Sequence, residues 1–242
     1  MRRNFLITIA TVALLAGCGP DVDPKAGTKR EPVKAFEATS PLDLFPVSEG
    51  NAWTYTIEVR VTAPNGEVVN RHMSEQSYKV ISVNETPEGK RARLHILSED
   101  GTKLAEMGLL FTDEGLFQTG FTSEAISINH DPIQPIFLWP LKTDETHKYS
   151  GISYLPGLRR AGPISGEMIY KGEYEVDTAS GRYKAFRVDY NQEYQHEGKD
   201  YVSVLVSWFT PKVGPVKMNE FISLQNNASQ LTIMSLKSYT VK

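Results

Sequence analysis

Five histidines, His72, His95, His130, His147 and His196, are the side chains best placed to move protons or hold a metal near neutral pH. They are scattered. None belongs to an H-E-x-x-H or His-x-His pattern, the spacings that set two imidazoles on one ion. In His130-Asp131 a histidine adjoins a carboxylate, and in a polar loop such a pair reads as a surface contact and not a catalytic dyad. Glu173 and Glu175 share one face of a strand pattern, where a solvated stripe explains them better than the paired carboxylates of glycoside hydrolysis. Gly162-Pro163-Ile164-Ser165-Gly166 comes nearest to the G-x-S-x-G elbow, with the wrong spacing. No glycine-rich phosphate cradle occurs. The expectation is a non-enzymatic chain without metal or cofactor; a hydrolase assembled from distant strands is the last-ranked alternative.

The one cysteine, Cys18, closes a distinctive start. Met1-Arg2-Arg3 is basic, Phe5 to Ala16 is apolar and too short to span a bilayer comfortably, and Leu15-Ala16-Gly17 ends in small residues before Cys18. This resembles the lipobox of bacterial lipoproteins. The resemblance implies a signal peptide over 1–17 and acylation of Cys18, with chains such as palmitate, as the new N-terminus. Each buried methylene is worth about 0.8 kcal/mol, so two or three chains hold a protein essentially permanently. The implied address is the cell envelope, with the protein anchored by lipid facing the periplasm or exterior. Gly19 stands where many inner-membrane lipoproteins of enterobacteria carry aspartate, and by that resemblance the outer membrane is favoured if the organism has one.

With Cys18 taken as an anchor, no disulfide, thiolate metal site or cysteine nucleophile is available downstream. Residues 18–40, rich in Pro, Gly, Lys, Asp and Glu, have little to bury and read as a flexible tether. The chain carries 26 basic and 29 acidic residues, and loss of Arg2 and Arg3 with the leader takes the formal charge from −3 to about −5. Mild acidity without a basic block argues against nucleic acid as a partner. Membrane contact is expected through lipid on Cys18.

Over 41–242 the pattern is β. Trp53, Tyr55, Ile57, Val59 and Val61 alternate strictly with polar residues, and Pro64-Asn65-Gly66 follows as a turn. Arg91 to Leu97 and Lys103 to Phe111 flank Asp100-Gly101; Tyr183 to Tyr194 follows Ser180-Gly181; Tyr201 to Phe209, with Val202, Val204, Val206 and Trp208 on one face, follows Glu197-Gly198-Lys199; Leu231 to Val241 ends the chain. Short turns between strands mean antiparallel pairing. The predicted fold is all-β, a single antiparallel meander forming a curved sheet or half-barrel. A helix, if present, is expected near 123–128 or in the proline-rich middle.

That middle, about 129–166, is interrupted by Pro132, Pro135, Pro140, Pro156 and Pro163 and holds the cluster Ile136-Phe137-Leu138-Trp139. It reads as an irregular excursion. Either Trp139 plugs the core, the commoner outcome for an aromatic cluster, or Phe137 and Trp139 lid a cavity and touch a ligand.

Three stretches carry a second resemblance. Leu44-Phe45-Pro46-Val47-Ser48-Glu49-Gly50-Asn51-Ala52-Trp53-Thr54-Tyr55, Thr178 to Val188, and Trp208-Phe209-Thr210-Pro211-Lys212-Val213-Gly214-Pro215-Val216-Lys217 are similar to the opening, middle and closing motifs of uncharacterised bacterial envelope proteins in domain-of-unknown-function families. The resemblance implies a curved antiparallel sheet and no established reaction. Each motif also has a structural reading, with Gly214 expected at a bulge or tight corner. The functional expectation is an envelope protein holding an apolar or amphipathic ligand, such as a lipid, on its curved sheet. The alternative is a scaffold for envelope proteins or carbohydrate.

Overall fold

The computed structural model describes residues 33–155, 160–196, 199–223 and 228–242. Twelve strands follow one short helix: α1 (Pro41–Leu44), β1 (Ala52–Thr62), β2 (Val68–Thr86), β3 (Gly89–Ser98), β4 (Lys103–Thr112), β5 (Gly115–Ser123), β6 (Ser127–Leu138), β7 (Thr146–Leu155), β8 (Arg160–Thr178), β9 (Gly181–His196), β10 (Lys199–Thr210), β11 (Gly214–Ser223) and β12 (Ser229–Thr240). They form one sheet in the order β6-β5-β4-β3-β2-β1-β12-β11-β10-β9-β8-β7. All pairs are antiparallel, so the meander and curvature expected from the sequence hold. The first and last strands pair from Ala52↔Thr240 to Thr62↔Ser229. The sheet curls until its two edges, β6 and β7, face each other. Side chains join them there: His130 Nδ1 lies 2.7 Å from the Ile152 carbonyl oxygen, and Gln134 Nε2 donates to the same oxygen at 3.0 Å.

Local chemistry explains the turns. Gly66 takes φ +84°, the left-handed conformation that favours glycine, and its N–H donates to the Ala63 carbonyl at 2.9 Å. The helix lies outside the region expected for it. Pro41 follows Ser40, and Asp43 Oδ2 accepts from the backbone N–H groups of Thr39 at 2.8 Å and Ser40 at 3.0 Å. Proline in the first turn and an acid reaching back to the orphan amides start a helix here. Residues 123–128 instead end β5 and begin β6.

The middle segment is the larger correction. It is not an irregular excursion; it supplies β6, β7 and the start of β8. Proline is tolerated because β6 is an edge strand, where a missing N–H removes no second ladder. Pro132 also falls between Asn129 and Gln134, where pairing with β5 is interrupted.

The core lies inside the curl. Trp53, Tyr55, Leu94, Leu109, Leu116, Phe137, Tyr183 and Leu236 are fully buried. Leu44 and Phe45 pack on it from α1, with the Phe45 ring edge-on to Trp53 at 5.1 Å and to Phe111 at 6.2 Å. Before α1, Lys34 adds to the edge of the Tyr183 turn, its N–H donating to Arg182 O and its carbonyl accepting from Lys184 N, both at 2.9 Å.

The opening and closing motifs meet in this core. Trp53 Nε1 donates to the Val213 carbonyl, and Tyr55 OH donates to the Pro215 carbonyl at 2.8 Å. Gly214, at φ +103°, lies so close to the Trp53 indole that an added Cβ would sit 3.0 Å from Nε1. The corner expected at Gly214 is therefore real, and its purpose is to seat Trp53.

Candidate functional site

Alternation decides which residues face inward. On β10 the buried set is Tyr201, Ser203, Ser207 and Phe209, with Leu205 between them, whereas Val202 and Val204 are exposed. The apolar stripe of Val202, Val204, Val206 and Trp208 thus faces out, and a more mixed set faces in. Small serines at 203 and 207 leave space that larger side chains would fill.

A cavity of about 200 Å³ results. Phe45 and strands from both halves of the sheet line it. With Phe45, rings and thioethers make up half of its lining, from Tyr55, Tyr78, Tyr149, Tyr190, Phe209, Met107, Met218 and Met234, while Gln118, Gln134, Gln192, Ser207 and Lys217 are the polar members. Three of the four phenols add little polarity, because their hydroxyls are tied to the wall. Tyr55 OH is spent on Pro215, Tyr190 OH donates to the Ile136 carbonyl, and Tyr149 OH accepts from Gln192 Nε2 at 2.6 Å. Tyr194 OH donates to Gln192 Oε1 at 2.7 Å, holding that amide from its other side. Burial raises the pKa of Tyr55 and Tyr190, and burial with the Glu220 charge pushes Tyr78 up to about 12. All three stay neutral at physiological pH.

Among the described residues, the half-buried acid Glu220 stands on the inner face beside this cavity. Glu220 lies on β11 two residues beyond cavity-lining Met218, opposite Leu205 of β10 and Thr232 of β12. Among the described residues its hydrogen-bond partner is Ser203 Oγ, at 3.4 Å. Burial pushes the Glu220 carboxyl above its ordinary range, with the Ser203 contact pulling weakly the other way. Sequence reasoning missed this residue. The signal was present: Val216, Met218, Glu220 and Ile222 alternate together, which sets an acid on an apolar face.

The histidines and acids weighed at the outset go elsewhere. Glu173 and Glu175 are paired with Lys184 and Arg182 on exposed strand surface, as a solvated stripe requires. His95 Nε2 lies 3.1 Å from Glu106 Oε2. The surface reading of His130-Asp131 needs correction. Asp131 is exposed, but His130 is buried on the inner side of β6, and desolvation lowers its pKa despite the Ile152 contact. Among the described residues no group of three His, Cys, Asp or Glu side chains converges as a metal site would require.

Phe137 is fully buried with its ring edge-on to Phe209 at 5.2 Å, and Trp139 is half-buried against the core. Neither lines the 200 Å³ cavity; from their cluster Ile136 does. Cys18 lies outside the described residues. No helix among the described residues is long and apolar enough to cross a membrane.

No family model matches the chain. No curated protein matches it either. Several solved structures are similar to it at low identity. A protein of Parabacteroides distasonis assigned as a lipoprotein is 15% identical, with a TM-score of 0.49, over 81% of this chain and 98% of its own. A protein of Bacteroides fragilis assigned as exported, with a YmcC-like fold, is 14% identical at TM-score 0.48 over the same shares. The hypothetical lipoprotein YmcC of Escherichia coli is 9% identical at TM-score 0.37, over 83% of this chain and 89% of its own.

Proposed function

We propose that this chain is a lipid-anchored cell-envelope protein whose curled sheet holds a small apolar or amphipathic ligand and catalyses no reaction. The cavity carries the reading. Its rings and thioethers form an apolar wall, and methionine adapts to irregular partners. Its size limits the guest. An empty apolar cavity of ~150 Å³ accommodates benzene, so about 200 Å³ suits a ring or a short chain end, below the ~300–1,000 Å³ of drug-sized sites. A whole phospholipid would leave most of itself outside. The anchor rests on Leu15-Ala16-Gly17-Cys18.

Native mass spectrometry of the full chain, purified from its host membrane, tests the reading. A retained apolar molecule of low mass is expected. A protein that retains nothing, and whose Met107, Met218 and Met234 methyl resonances stay fixed when hexan-1-ol is added, is not a carrier.

One observation favours an interaction scaffold as the second reading. Val204 and Phe221 are cross-strand partners on the outer face, exposed at 37% and 44%, beside Val202 at 46%. An outward apolar row of this kind is a feature of docking surfaces.

A further inference from the structure

Two acids on the outer surface show how a carboxylate can be compensated in this fold. Glu58 is held between Arg60 and Arg71, and Glu106 lies among Arg93, His95 and Lys103. Glu220 differs. It faces the interior and forms no ion pair with any described residue; its one described hydrogen bond is the long contact from Ser203 Oγ. The cation nearest along its own strand, Lys217, is itself among the cavity-lining residues, and it rests its ammonium over the Trp208 ring, 5.8 Å from the centroid. A carboxylate is an acceptor only, and leaving one indoors without a strong donor is costly.

Its position relative to the cavity is fixed by the strand. Glu220 stands two residues from Met218, a separation of roughly 7 Å along one face. It is also close enough to Tyr78, a cavity-lining residue, and to Tyr194 for its charge to act on both phenols. Rings and thioethers therefore give way, within one strand face, to an acid that stands just beyond the lining residues.

We infer that the cavity takes a ligand with two ends, a short apolar chain or ring among Met107, Met218 and Met234 and a cationic ammonium head that pairs with Glu220. This rests on the carrier reading above and narrows its ligand to amines. The ammonium supplies the charge-assisted donor that Glu220 lacks, and such bonds are roughly twice as strong as neutral ones. An anionic head, such as a fatty acid carboxylate, would meet Glu220 as a like charge.

The test uses the full chain in lipid nanodiscs with methyl-labelled methionine, titrated separately with hexylamine, hexan-1-ol and hexanoate. The chains are matched, so only the head differs. Met107, Met218 and Met234 report the cavity, while exposed Met73 and core Met168 serve as controls. Hexylamine is expected to shift the three cavity methyls with a dissociation constant at least tenfold below that of hexan-1-ol, with hexanoate weakest. In Glu220→Gln, which keeps the shape of the side chain, amine and alcohol are expected to bind alike. Equal binding of amine and alcohol by the unaltered chain, or an amine preference that survives in Glu220→Gln, overturns the amine assignment and leaves the cavity reading standing. If none of the three probes moves the cavity methyls, the carrier reading falls with it.

Discussion

His130 and Ile152 meet across the junction between the two sheet edges, with imidazole Nδ1 2.7 Å from the carbonyl oxygen. A carbonyl only accepts, so Nδ1 must carry the hydrogen. In the neutral ring that leaves Nε2 as a lone pair, and Nε2 is buried without a hydrogen-bond partner among the described residues. Protonation would place an unpaired N–H⁺ there, which is why burial holds the pKa of His130 below its usual 6.5.

The first prediction follows from that sign. The unfolded chain takes up a proton at His130 before the folded one does, so this contribution to stability is complete above about pH 6.5. It is lost as pH falls from there toward the lowered folded value. Urea denaturation from pH 7.5 to 5 is expected to give a falling midpoint, and His130→Gln a shallower fall. Gln134 still donates to the Ile152 oxygen, so the substitution should cost only about 1 kcal/mol at pH 7.5. An unchanged pH slope in His130→Gln would remove His130 as its source.

The second prediction separates two aromatics the sequence could not tell apart. Phe137→Ala empties a fully buried site against Phe209 and is expected to cost about 3–5 kcal/mol. Trp139 is half-buried and does not line the cavity, so Trp139→Ala should cost less and leave hexan-1-ol affinity within about twofold. Denaturation curves and methionine-methyl titrations of both variants check this. A large loss of affinity in a fully folded Trp139→Ala protein would restore the lid.

Why these two were indistinguishable shows where sequence reading stopped. Strict alternation in β1 and the turns at Asn65-Gly66 and Asp100-Gly101 are local, and they revealed the meander. Position in the sheet is not local. Pro132 and Pro135 look like strand breakers until β6 is known to be an edge, and that depends on β1 pairing with β12 across almost the whole chain. The same limit hid the direction of the Val202–Trp208 stripe, whereas Glu220 was legible from the local alternation of Val216, Met218 and Ile222 and was passed over. The helix start at Ser40-Pro41 with Asp43 was legible from residue types alone, and the search for long apolar stripes passed over it.

A third prediction concerns the clasp between the opening and closing motifs. Gly214→Ala adds a Cβ against the Trp53 indole at a positive φ that alanine adopts only with strain. A cost of about 1–3 kcal/mol is expected, with the near-ultraviolet circular dichroism of Trp53 altered. A variant as stable as the parent, with an unchanged tryptophan signal, would mean that the corner does not need glycine.

The last prediction tests the anchor, which rests on the first eighteen residues. On the lipobox reading, lipid attachment needs the Cys18 thiol, and cleavage by lipoprotein signal peptidase follows attachment. Cys18→Ser should therefore leave a precursor that retains residues 1–17 and carries no diacylglyceryl group. Globomycin, which blocks that peptidase, should leave the unaltered chain uncleaved but acylated. Intact mass spectrometry distinguishes the two species, because one carries the added lipid mass and the other does not. Together they order the steps: acylation first, cleavage second. If Cys18→Ser and globomycin both leave processing and membrane fractionation unchanged, Cys18 is not the site of attachment and the lipoprotein reading falls.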